Sequence, residues 1–211
     1  MKQKFLKYIS EMRNQLPEAE EALQNLKAIV VDMETPKAKQ KTDADSPQFL
    51  IPAEVQGLEN TYVLYADGAC RGNPGPGAWG CVVQDNQSNI VLSAADISKH
   101  TTNNKMELSG VIEGIRLLTA HVDLNTTNLL VVSDSMYVVN GMNSWVAGWK
   151  KRGWKKADKK VPENVELWKD LDQLRLEVYK IKFDWVKGHS GHPQNEFCDQ
   201  LANEALDNAG F

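Results

Sequence analysis

Four acidic residues stand where side-chain type and spacing could do chemistry. Asp67 ends the run YVLYAD and Asp134 ends the run NLLVVSD. In each run the aspartate shares strand parity with apolar neighbours, Val63 and Tyr65 in the first, Leu130 and Val132 in the second. If the two strands are adjacent and parallel, both carboxylates meet at the carboxyl ends, where open α/β sheets carry their sites. Glu107 falls at helical spacing with Val111, Ile115 and Leu118, and Asp199 with Ala202 and Leu206, so each borders a core-facing stripe. Clustered carboxylates repel and raise one another's pKa unless a cation neutralises them. A donor set made only of oxygen suits Mg²⁺ or Mn²⁺ rather than zinc. Taken singly, each acid also reads as a helix cap or a half-exposed strand end. Four of them on core-bordering positions call for more than that.

Opposite charge gathers elsewhere. The chain has a formal net charge of -4, yet residues 150–160 hold seven basic residues against one acid, Asp158. Tryptophans are set among them in WKKRGWKKADKK (Trp149 to Lys160). Segregated charge of this kind points to a charged partner. Trp145 and Trp149 lie one helical turn apart and, with Trp154, could brace the lysines or pack on sugars; hydrophobic packing of the stretch is the competing reading.

Other features carry less. GPGAWG (Gly75 to Gly80) fits G-x-G-x-x-G but runs into strand-like sequence instead of opening a helix, which speaks against a dinucleotide site. Pro74 and Pro76 favour a tight turn there. His189, His192 and Cys198 lack a fourth ligand at a zinc-site spacing. In its Gly-His-Ser-Gly loop, His189 reads better as a mobile proton carrier.

The elements that must position these groups follow from the hydrophobic pattern. At 211 residues the chain can bury one sizeable core with some length left over. Residues 1–34 show two stripes at helical spacing (Phe5, Ile9, Met12, Leu16, then Ala19, Leu23, Leu26, Val30, Met33), read as a short helical extension. Residues 35–60 read as a linker, being polar and proline-bounded in TPKAKQKTDADSP. From Thr61 the pattern gives a strand, then a hairpin of GAWGCVVQD and NIVLSAAD around NQSN, then a helix over NKMELSGVIEGIRLLTA. A strand at NLLVVSD follows, then helical sequence through the basic stretch to about Tyr179, a strand at IKFDWVKG and a last helix over Asn195 to Asn208. The fold class is α/β, a mixed sheet flanked by helices. No apolar run reaches the roughly 18–20 residues of a membrane span, and MKQKFLKYIS has no signal-peptide core. Cys70, Cys81 and Cys198, odd in number and without C-x-x-C spacing, suit reduced thiols in a cytoplasmic protein.

As a set and in order, DGACRGNPGPGAWG, TTNNKMEL, VVSDSMYVVNG, GWKKRGW and WVKGHSGHPQNEFCDQLA resemble bacterial-type ribonuclease H1 over residue 61 to about 209. The resemblance implies a five-stranded ribonuclease H-like sheet and a catalytic domain over 61–211, with a basic handle at about 145–160. It implies endonucleolytic hydrolysis of the RNA strand of RNA–DNA hybrids by two-metal catalysis, leaving 5′-phosphate and 3′-hydroxyl ends, in a monomer that uses Mg²⁺ with Mn²⁺ able to substitute. Asp67, Glu107, Asp134 and Asp199 match the metal-binding carboxylates, and His189 the catalytic loop histidine. Cys70, Asn73, Thr102, Asn103 and Asn104 match positions near nucleic acid. Trp145, Trp149, Lys150, Lys151, Arg152, Trp154, Lys155 and Lys156 match the substrate-binding handle. Met136 departs, standing where a polar residue is common. Residues 1–60 lie outside the resemblance. A DNA nuclease or recombinase on the same fold, and a catalytically dead binding module, are the alternatives. The intact TTNNKMEL and handle speak against the first, and the complete carboxylate set against the second.

Overall fold

The computed structural model describes residues 49–188 and 190–211. The helical extension expected over 1–34, the first part of the expected linker, and His189 lie outside the described residues. The strands are β1 (Thr61–Cys70), β2 (Gly75–Asp85), β3 (Ile90–Thr101), β4 (Asn128–Ser133) and β5 (Lys180–Trp185). The helices are α1 (Asn103–Leu118), α2 (Met136–Asn140), α3 (Val146–Lys151), α4 (Val165–Glu177) and α5 (Pro193–Asn208). They build the expected five-stranded mixed sheet, in the order β3-β2-β1-β4-β5. β1 and β4, and β4 and β5, run parallel; the remaining pairs are antiparallel.

β1 is buried on both faces because helices cover both. Leu64 and Ala66 face a core shared with Leu108, Val111, Ile112 and Ile115 of α1 and with Trp168 and Leu171 of α4. Val63 and Tyr65 face the other way, toward Cys198 of α5. The alternation read from the sequence is therefore real, but both halves of it are apolar. Among the described helices none is long and apolar enough to cross a membrane.

Three expectations need correction. β3 runs on from Asp96 to Thr101, because its ladder with β2 continues as far as Gly75↔Thr101. The basic stretch is not one helix through to Tyr179. α2 passes through a π-helical turn (Gly141–Trp145) into α3, which stops at Lys151. Gly153, Trp154, Lys159 and Asn164 then take positive φ, so residues 152–164 form a folded loop closed by the Lys156 N–H donating to the Lys160 carbonyl (2.8 Å). A helix cannot absorb left-handed residues in its interior. Finally, residues 49–60, read as linker, pack on the domain: Phe49, Ile51 and Val55 are buried, and Ala53–Val55 form a 3-10 turn.

Candidate active site

The strand register brings Asp67 and Asp134 level. β1 pairs with β4 as Val63↔Leu130 and Tyr65↔Val132, and the same offset carried two residues further sets Asp67 beside Asp134. Both lie past the last paired residues, where the parallel strands part and leave a cleft. β1 itself continues beyond Asp67 to Cys70, paired only with β2.

The helices that carry the other two acids approach the sheet over glycines. A methyl group at Gly68 would stand 2.5 Å from the Glu107 backbone nitrogen, and one at Gly80, the partner of Asp67 across β1–β2, 2.2 Å from the Cys198 carbonyl oxygen. Hydrogen in place of a side chain lets α1 and α5 sit against the strand. Glu107 and Asp199 are thereby drawn into the neighbourhood of Asp67.

Electrostatics report the result. Asp67 is buried, and its carboxyl is pushed up from 3.8 to about 7, by loss of water first and then by the charge of Asp134. The Gly68 N–H, donating to Oδ1 at 2.7 Å, works against that rise, and Asp199 and Glu107 add to it. Burial also raises Glu107, opposed by the hydroxyl of Ser135. Glu107 accepts from Asn103 Nδ2 (2.7 Å) at one oxygen and from Ser135 Oγ at the other. Asp134 accepts from Asn195 Nδ2 (3.1 Å), and its carbonyl from Trp185 Nε1 (2.9 Å). Asp199 accepts from Asn203 Nδ2 (2.8 Å).

Among the described residues no three His, Cys, Asp or Glu side chains lie close enough to hold an ion without moving. The acids spend their oxygens on neutral amide and hydroxyl donors. The donor chemistry nevertheless fits a hard divalent cation: four carboxylates, no sulfur, and an Asp67 brought near neutral pH by burial first and then by its acidic neighbours.

The polar residues named from sequence divide into two groups. Cys70, Asn73, Thr102, Asn103 and Asn104 lie at the β1–β2 turn and the start of α1, joined by the Asn103 N–H donating to Asn73 Oδ1 (3.3 Å). Asn103 also holds Glu107, so it belongs to the acidic cluster. Along the handle, Trp149 is buried against Trp168 (ring centroids 5.6 Å apart) and Trp145 (5.9 Å), and Trp154 packs against the same core. Trp145 is exposed, with its ring 5.9 Å from that of Tyr137. Lys150 donates to Oδ2 of the buried Asp172 at 2.6 Å. Of the handle cations named above as substrate-binding, Lys151, Arg152, Lys155 and Lys156 make no ion pair among the described residues.

Sequence reasoning missed Ser135, Asn195, Trp185 and Gly188. A methyl at Gly188 would stand 2.2 Å from Asp134 Oδ2, so the Gly188 backbone lies directly on that carboxylate. Ser135 carried one local signal, its place before a helix, where its hydroxyl caps the Val138 N–H (3.2 Å).

Residues 59–207 match the family model described as RNase H. The chain is 49% identical over 144 residues to Ribonuclease H of Pseudoalteromonas atlantica, covering 67% of this chain and 88% of that one. It is 44% identical over 153 residues to Ribonuclease H of Pectobacterium atrosepticum, covering 70% and 94%. Among solved structures it resembles LC9-RNase H1 (TM-score 0.62, 34% identity, 71% of this chain and 73% of that one). It also resembles LC11-RNase H1 in complex with RNA/DNA hybrid (TM-score 0.57, 26% identity, 71% and 99%).

Proposed function

The chain belongs to the ribonuclease H family of endoribonucleases, and from that premise we propose that it hydrolyses the RNA strand of RNA–DNA hybrids at the four-carboxylate cleft. The observation that carries this reading is the level register of Asp67 and Asp134 on adjacent parallel strands, with Asp67 raised to about 7 by burial and then by the charge of Asp134. Such a cluster is costly unless its charge is put to use.

In this reading Asp67, Glu107, Asp134 and Asp199 hold Mg²⁺, with Mn²⁺ able to substitute. When bound, two such ions supply neutralisation of phosphate charge and activation of the attacking water. The protein's own groups orient and select. Asn103 and Ser135 hold the two oxygens of Glu107, and Asn195 holds Asp134, which limits how far these acids must move to meet metal and substrate. Water adds to phosphorus, the bond to the 3′-oxygen breaks, and that oxygen takes up a proton. The products are a 5′-phosphate and a 3′-hydroxyl. His189 acts as the proton carrier that aids turnover. Cys70, Asn73, Thr102 and Asn104 test the RNA strand, whose 2′-hydroxyls line a wide minor groove. Lys151, Arg152, Lys155 and Lys156 grip phosphates of the paired DNA.

The test is one gel with labelled hybrid beside labelled DNA duplex. With Mg²⁺, hybrid should be cut in its RNA strand and DNA duplex left whole; Asp134→Asn should still bind hybrid while losing cleavage. Cleavage of DNA duplex at a comparable rate, or near-normal turnover by the variant, would overturn the reading.

A further inference from the structure

The family match begins at residue 59, yet ten residues ahead of it are built into the domain. Two buried glutamines hold them there. Gln84 of β2, fully buried, donates through Nε2 to the carbonyls of Phe49 (2.8 Å) and Ser88 (2.8 Å). Gln194, in the first turn of α5 and 1% exposed, donates to the Leu50 carbonyl (2.9 Å) and to Gln84 Oε1 (3.0 Å). The Phe49 ring packs 5.5 Å from that of Phe197, also on α5. Ile51 and Val55 lie beneath, in the same apolar cluster as Tyr65, Val132 and Cys198. The far end is tied as well, by the Gly57 N–H donating to the Asn86 carbonyl (3.0 Å) and Asn86 Nδ2 to the Leu58 carbonyl (2.8 Å).

We infer that residues 49–58 are a strap that fixes the first two turns of α5 against the sheet and so positions Asn195 and Asp199. This rests on the reaction proposed above. Gln194 is bonded to the strap, and the next residue, Asn195, orients Asp134. Phe197, which the strap covers, lies two residues before Asp199. Gln84, Gln194 and Phe49 are positioning residues, not catalytic ones. A mere apolar cover would need no buried amides. Here both glutamines spend a donor on a strap carbonyl, and without the strap each buried amide keeps one acceptor and leaves its other N–H unmet, a cost that favours moving the helix end. Displacements of about an ångström at a catalytic group cost up to roughly a hundredfold in rate.

Two substitutions in the full chain test this. Gln194→Met keeps the shape and removes both donors; Phe49→Ala removes the ring from Phe197. The control is Leu50→Ala, at an exposed position. Amide exchange should quicken over residues 196–199 in both variants while α1 stays protected. Well below the unfolding temperature, kcat on hybrid should fall ~10-fold with KM within ~2-fold, because the phosphate-gripping residues are untouched. Unchanged exchange over 196–199 overturns the strap, and so does faster exchange with kcat at the unmodified value. If the unmodified chain fails to cut hybrid, the reaction assigned above is wrong instead, and the exchange measurements still decide whether the strap holds α5.

Discussion

Asp67 is the most perturbed acid of the cluster, and its perturbation can be measured. Its folded-state pKa, about 7, lies above the ordinary 3.8. A carboxyl raised in this way contributes stability that is complete below about pH 4 and is lost as pH rises through about 7, because only the protonated form is at ease in the fold. In EDTA the chain should therefore melt at a lower temperature at pH 8 than at pH 5. Asp67→Asn should raise the melting temperature at pH 8 and flatten that part of the curve, an effect on the order of a few kcal/mol. A pH dependence that Asp67→Asn leaves intact would show that the burial and crowding of this carboxyl are not what the protein feels. Asp172 has the opposite sign. Lys150 and Arg175 hold it below the usual carboxylate range despite its burial, so its contribution is present at neutral pH and fades in acid. Asp172→Ala should cost about 2 kcal/mol at pH 7, less than a fully buried pair because both cations are half in water, and progressively less as pH falls through the acid range.

Helix placement is governed by what the strands leave out. At Gly80 a single methyl would press on the Cys198 carbonyl, and backbone cannot rotate aside as a side-chain end can. Gly80→Ala should therefore shift α5, lowering stability by about 1–3 kcal/mol and kcat by ~10-fold or more, with hybrid binding largely kept. Thermal melts beside steady-state kinetics would check it; normal kcat would mean that α5 tolerates the shift. The handle works by another rule. Its base is an aromatic cluster in which Trp168 donates through Nε1 to the Tyr137 hydroxyl (3.1 Å), and the ring of Trp168 fills the space a side chain at Gly141 would take. Trp149 belongs to that base, so its truncation should unfold the handle before it weakens any grip on substrate.

Charge is divided over the molecule: an acidic cleft, a basic loop at residues 151–160, and a net charge of -4. Polyanionic substrate is repelled by the first and held by the second, so binding and chemistry should separate in kinetics. Replacing Lys151, Arg152, Lys155 and Lys156 with Glu should raise KM and leave kcat nearly unchanged. Lys150 must stay, since a glutamate there would face the buried Asp172 and confound binding with folding. The salt dependence of binding should become shallower, by ~0.9 in the log–log slope for each phosphate no longer neutralised on duplex DNA and a comparable amount on hybrid. Titrations across salt concentration decide this: an unchanged slope would mean that these four cations are a solvated face.

The five strands, the α1 and α5 stripes and the four acids are all legible in the chain, because strand and helix periodicities are local and an aspartate at the end of a buried row stands out. The adjacency of β1 and β4 is a condition that the sequence poses and the sheet order meets. What no local pattern can carry are relations between distant segments. Lys150 reads as a free cation in the sequence, and only the fold puts Asp172, on another helix, beneath it. Residues 49–60 read as linker only by extension of the polar run over 35–47; their own Phe49, Leu50, Ile51, Val55 and Leu58 are apolar, and Gln84 and Gln194 anchor them through backbone carbonyls. Every residue has a carbonyl, so such an anchor leaves no trace in composition. The approach of α1 and α5 over Gly68 and Gly80 is of the same kind. A glycine marks room for something, and only the packed chain decides what fills it.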